Sequence, residues 1–125
     1  MLTIKAVRRE SPIAGTGLFA AEPIAQGAVI WRATPVSVLI LSQEAVRALP
    51  DDERAFVEWF GYIWHGAWNI NVDDAKFMNH SEAPNTVNAP DGSDVTLAAR
   101  DIDVGEELTC DYRTFHEGFR PFPAQ

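Results

Sequence analysis

Past its midpoint the chain offers no apolar run long enough for a helix. WNINV, NTVNA, DVTLAAR and EELTC, which begin at Trp68, Asn85, Asp94 and Glu106, are each a few residues long. Turn residues break them up at Asp73-Asp74, Pro90-Asp91-Gly92 and Val104-Gly105. This punctuation predicts short strands gathered in small sheets rather than one long sheet.

The first third reads the same way. Leu2 to Val7 alternates apolar and polar residues, the loop SPIAGTG leads into GLFAA, PIAQG precedes AVIWRA, and Pro35 precedes VSVLIL. Between these β-rich parts, residues 42–60 read as a helical insert. Ser42 is placed to cap QEAVRAL, and Pro50-Asp51 starts a second helix on which Phe56, Trp59 and Phe60 share a face. With 125 residues, 46% hydrophobic and 22% charged, the expectation is one globular domain spanning 1–125, with 113–125 as a C-terminal flanking tail.

Charge and cysteine content narrow the function classes. Ten Lys and Arg against eighteen Asp and Glu give a net charge of −8, which repels phosphate backbones and favours a basic partner over nucleic acid. No apolar run approaches the length of a membrane span, so a cytoplasmic location and no membrane partner are expected. Cys110 is the one cysteine, and with His65, His80 and His116 it offers no paired-ligand spacing for zinc, so no metal is expected.

The polar cluster Asn79-His80-Ser81, followed by Pro84-Asn85, admits two readings from its residues. One is a nucleophile beside its base, the other a polar turn. Neighbouring strand residues point to opposite faces, so Ser81 is poorly placed to give a proton to His80, and no Gly-flanked elbow surrounds it.

FMNHSEAPNT, GEELTCDY at Gly105–Tyr112 and GTGLFA at Gly15–Ala20, in their order along the chain, resemble the signatures of the SET domain of protein-lysine methyltransferases. The resemblance implies a mostly β, β-clip-like fold of short strands and small sheets, with a C-terminal pseudoknot and a short helical insert. It implies S-adenosylmethionine as cofactor and a basic, lysine-containing protein or peptide as substrate. By the same resemblance Gly15, Thr16, Gly17 and Leu18 form the cofactor loop, and the Asn79 side chain meets the amino-acid end of the cofactor. The His80 backbone reads the adenine edge, Tyr112 is catalytic, and Phe115 closes an apolar lid. Pro84, Asn85 and Asp111 are expected to hold the pseudoknot.

Some positions depart from the family pattern. Trp31-Arg32 stands where many members carry an acidic residue and a tyrosine, Tyr62 is the sole tyrosine besides Tyr112, and Cys110 precedes Asp111-Tyr112. The tail holds Phe115, Phe119 and Phe122 but no cysteine-rich zinc module. A protein-lysine methyltransferase is therefore the expected function, with a catalytically weak or inactive module that binds cofactor or a basic peptide as the alternative.

Overall fold

The computed structural model describes residues 1–114, so Phe115, Phe119 and Phe122 lie outside the described residues. Ten short strands and two α-helices follow one another along the described residues. β1 is Ala6–Glu10, β2 Thr16–Ala20, β3 Val29–Arg32 and β4 Val38–Ser42. The helices α1 (Gln43–Arg47) and α2 (Asp51–Phe60) come next, then β5 (Tyr62–Trp64) and β6 (Ala67–Asn71). After a 3-10 turn at Asp74–Phe77 come β7 (Asn79–His80), β8 (Thr86–Asn88), β9 (Val95–Ala98) and β10 (Thr109–Cys110).

The expected small sheets are what the strands form: β1-β2, β3-β9-β8, β4-β6-β5, and the parallel pair β7-β10. The main core joins residues from distant segments, among them Leu18, Ile30, Ile102 and Leu108, which are fully buried. Burial of side chains of this size contributes about 1.5 to 3 kcal/mol each. A second, smaller core of Val46, Val57 and Ile70 fixes the helical pair to β6.

Helix starts follow their local chemistry. The Ser42 hydroxyl accepts the Ala45 N–H at 3.0 Å and so caps α1. Asp51, Asp52 and Glu53 fill the first turn of α2, where the helix dipole favours negative charge. The shared aromatic face of α2 is only partly covered: Phe56 is 50% and Trp59 49% exposed, and Val57 is its buried residue.

Three expectations from the sequence change. The first strand starts at Ala6 instead of Leu2, because the Leu2 N–H donates to Asp73 Oδ2 at 2.7 Å and the Thr3 N–H to the Ile30 carbonyl at 2.9 Å. β5 was not expected. It pairs with β6 through a tight hairpin at His65-Gly66, both in the left-handed region with φ of 51° and 76°, and two consecutive left-handed residues mark the turn type that matches strand twist. Of EELTC, only Thr109 and Cys110 form a strand.

Candidate active site

The two late motifs are stitched together by side chains. β7 and β10 run parallel, with Asn79 opposite Thr109 and His80 opposite Cys110. Asn85 is 3% exposed and spans the crossing. Its Nδ2 donates to the Glu107 carbonyl at 2.8 Å, its Oδ1 accepts the Thr109 N–H at 2.9 Å, and its own N–H donates to Thr109 Oγ1 at 3.2 Å. The Thr86 hydroxyl adds a bond to the Thr109 carbonyl at 2.7 Å. Asn85 therefore does what was expected of it.

Asp111 does not reach across in the same way. Its carboxylate takes Arg113 Nη2 at 2.6 Å and Nε at 2.9 Å, and it lies 3.7 Å from His80 Nδ1. The Arg113 hydrogen bonds hold the Asp111 carboxyl down at about 2. An arginine two residues away satisfies the carboxylate locally, so Asn85 and Thr86, rather than Asp111, carry the side-chain bonds across the crossing.

Just after β10 the chain delivers Tyr112. Its N–H donates to His80 Nδ1 at 3.0 Å, its hydroxyl donates to the Met78 carbonyl, and the two rings lie 5.5 Å apart. His80 is thus a brace for Tyr112. The hydrolase reading loses its geometry, because His80 Nδ1 is taken by the Tyr112 N–H and the Ser81 hydroxyl turns to the Ala83 N–H, which it accepts at 3.1 Å.

Tyr112 opens onto a cavity of about 640 Å³, within the size range of small-molecule and cofactor pockets. Trp31, Trp59, Phe60, Tyr62 and Trp64 give it aromatic walls, and Cys110 and Asp94 also line it. Trp31 is both core and wall: it is buried in the main cluster, and its Nε1–H has no hydrogen-bond partner among the described residues. Tyr62, whose hydroxyl donates to Asn71 Oδ1 at 3.3 Å, is the second cavity tyrosine that the sequence left open. Burial, reinforced by the negative charge of Asp94, pushes the Tyr62 hydroxyl up to about 12. Burial also pushes Tyr112 and the Cys110 thiol well above their ordinary values.

The glycine loop and Asn79 meet at a different place from this cavity. Asn79 Nδ2 lies within hydrogen-bond distance of Ser11 Oγ (3.1 Å), the Ala14 carbonyl (3.0 Å) and Glu107 Oε2 (2.9 Å). The Ser11 hydroxyl donates to the Glu107 carboxylate, 2.8 Å from either oxygen, and accepts the Ile13 N–H at 2.9 Å. Neither Ser11 nor Glu107 was among the expected site residues. A Glu inside the Gly-Glu-Glu-Leu-Thr segment was the available signal.

The loop residues divide. Gly15 has φ of +46° with open space where a Cβ would stand, and Thr16 is exposed. At Gly17 a Cβ would lie 2.4 Å from Glu107 Oε2, so the missing side chain makes room for the Glu107 carboxylate and not for a ligand. Leu18 is fully buried in the main core and its carbonyl accepts the Leu108 N–H at 2.7 Å, so its side chain cannot touch a cofactor. Asn79 and His80 are half-buried beside the loop and Tyr112 respectively, and Phe115 lies outside the described residues.

Small sheets, a helical insert and two motifs crossing beneath a tyrosine-lined cavity define a class of strand-rich domains built around a C-terminal crossing. The chain belongs to the SET-domain family, whose profile matches residues 15–113. Solved structures of similar shape include a Plasmodium falciparum protein described as a candidate histone methyltransferase. That one is 18% identical at a TM-score of 0.61, covering 89% of this chain and 95% of that one. A humanized mutant of the Chaetomium thermophilum Polycomb Repressive Complex 2, bound to an inhibitor, is 22% identical at 0.65, covering 92% of this chain and 16% of that one. At these identities the likeness is one of fold. Comparison with curated proteins gives no match.

Proposed function

We propose that the chain transfers a methyl group from S-adenosylmethionine to a lysine side chain of a basic protein. One observation carries this reading: the Tyr112 hydroxyl donates its proton to the Met78 carbonyl while the residue lines an aromatic cavity shared with Tyr62. With its hydrogen committed, the Tyr112 oxygen presents lone pairs, which suit weak C–H···O contacts with a polarised methyl group. Both tyrosines are protonated at neutral pH, since burial raises each above its ordinary value. They orient and do not act as bases.

The residues at the glycine loop fit the cofactor. Gly15 leaves open backbone, Asn79 brings an amide, and Glu107 a half-buried carboxylate with no Lys, Arg or His paired to it among the described residues. Amide, carboxylate and bare backbone suit the polar amino-acid end of S-adenosylmethionine, and Gly15, Thr16, Asn79 and His80 would hold it together with Glu107. When bound, the cofactor supplies a methyl group activated on a sulfonium.

The chain's own part is to make the amine reactive and to align it. Aromatic walls from Trp31, Trp59, Phe60 and Trp64 strip water from the alkyl stem of an entering lysine, and desolvation lowers its pKa toward the neutral, nucleophilic form. Alignment of nucleophile and methyl group accounts for much of what such a displacement needs. The net charge of −8 and the acidic first turn of α2 favour a basic partner.

The test is transfer of isotopic methyl from S-adenosylmethionine into a lysine-rich protein pool, with the labelled residue identified by mass spectrometry. Label on lysine is the expected result. Cofactor binding without label on any protein would point to a binding module instead.

A further inference from the structure

Glu107 is an acidic side chain set against the glycine loop. It is half-buried, and no cation among the described residues pairs with it. An ionised carboxylate offers about four acceptor positions. Among the described residues two groups donate to this one, the Ser11 hydroxyl and the Asn79 amide, and both are neutral. Removing a carboxylate from water without a counter-charge is costly, so a site that keeps one partly buried among neutral donors suits an incoming cation.

Its position says which cation. The carboxylate touches Asn79 on one side and fills the space beside Gly17 on the other, where an added Cβ would stand 2.4 Å from Oε2. Anything lying along the loop between Ala14 and Gly17 comes within reach of it. We propose that Glu107 is the counter-ion of the α-ammonium group of S-adenosylmethionine, with Ser11 and Asn79 fixing the carboxylate for that contact. The proposal rests on the cofactor reading above and adds to it a charged partner for the amino-acid end. No bond forms or breaks in this step, since it is an ion pair. Ser11 is then a positioning residue: it bridges both carboxylate oxygens and its own hydroxyl is pinned by the Ile13 N–H.

A purely structural Glu107, tying the first loop to the crossing, makes a different prediction. The discriminating experiment is calorimetric binding of two ligands to the parent and to Glu107→Gln, with melting curves alongside. One ligand is S-adenosylhomocysteine, which carries the α-ammonium, and the other is methylthioadenosine, which lacks the amino-acid end. Loss of a charge-assisted contact should weaken S-adenosylhomocysteine by about tenfold or more while methylthioadenosine changes by less than about twofold. Equal weakening of both ligands, or of neither, overturns the proposal. Should Glu107→Gln fail to fold, the parent is tested with deaminated S-adenosylhomocysteine. A loss of about tenfold or more against the natural ligand supports the ion pair, and equal affinity overturns it. A parent that binds none of these ligands overturns the cofactor reading and this proposal together, whereas binding without discrimination overturns this proposal alone.

Discussion

Asn85 and Thr109 clasp each other from both sides: the Thr109 N–H donates to Asn85 Oδ1 at 2.9 Å, and the Asn85 N–H donates to Thr109 Oγ1 at 3.2 Å. Two segments far apart in sequence are held at one point by buried polar groups. Asn85→Ala leaves the Thr109 N–H and the Glu107 carbonyl without these partners inside the protein. Each orphaned group costs about 1 to 3 kcal/mol, and a chain of this size then melts roughly 10 °C lower. Calorimetric melting checks this, and a shift of only about 1 °C would show that the crossing does not depend on Asn85.

Gly17→Ala tests the contact between the glycine loop and Glu107. The new Cβ would meet Glu107 Oε2 at 2.4 Å and Ser11 Cβ at 3.0 Å. The carboxylate is the far end of a flexible side chain and can swing away, so the cost in stability is modest, about 1 to 3 kcal/mol. Affinity for S-adenosylhomocysteine should fall by about tenfold, because the swing pulls Glu107 from Ser11 and Asn79. Unchanged affinity measured by calorimetry would place the cofactor away from this loop.

The rate of methyl transfer should rise with pH and show no descending limb from the tyrosines. The reactive form of lysine is the neutral amine, with an ordinary pKa of about 10.4 that burial lowers. Tyr62 is raised to about 12 and Tyr112 is raised as well, so both hydroxyls stay protonated through this range. Single-turnover rates from neutral pH to about pH 10 check the profile. A fall beginning below about pH 9 would mean that a cavity hydroxyl ionises early.

Asp111 makes part of the stability acid-sensitive. Its folded value of about 2 lies below the ordinary 3.8, the Arg113 hydrogen bonds being the first cause. A depressed carboxyl stabilises the fold above its unfolded pKa, and that contribution disappears as pH falls through the folded value. The melting point of the parent should therefore drop more steeply between about pH 4 and about pH 2 than that of Asp111→Asn. Equal slopes would remove Asp111 from the balance.

Much of this architecture was legible because its signals are local. Ser42 announces a helix start by capping chemistry, and Asn85, Tyr112 and Asn79 stand inside motifs whose order already implied a meeting point. What stayed hidden depends on partners remote in sequence. The two-residue strand Asn79–His80 exists because Thr109–Cys110 lies beside it, and no periodicity can appear in two residues. β5 escaped notice because a His-Gly pair makes its turn where Asn-Gly or Asp-Gly is the usual marker. Leu18 looked like part of a ligand loop because it follows Gly15-Thr16-Gly17, yet strand alternation turns its side chain into the core. Ser11 and Glu107, the residues that fasten that loop, are separated by most of the chain and carry no motif that links them.

The brace between His80 and Tyr112 can be separated from the chemistry it supports. His80→Phe keeps a ring in place but removes the acceptor for the Tyr112 N–H, which now sits 3.0 Å from Nδ1. Turnover should fall by about tenfold, the order of one hydrogen bond, while affinity for S-adenosylhomocysteine changes by less than about threefold. A loss confined to cofactor affinity would assign the His80 side chain to binding.

The Tyr112 hydroxyl is the centre of the account, and Tyr112→Phe removes it while keeping the ring. The bond to the Met78 carbonyl is lost, at a cost of about 1 to 2 kcal/mol in stability. Single-turnover transfer of methyl from S-adenosylmethionine to a lysine-rich peptide pool, with melting and cofactor binding measured on the same preparations, is the most direct test. The expected rate is lower by about a hundredfold or more, some 2.7 kcal/mol in the transition state, with cofactor affinity nearly unchanged. A phenylalanine variant that methylates at the parental rate would contradict it.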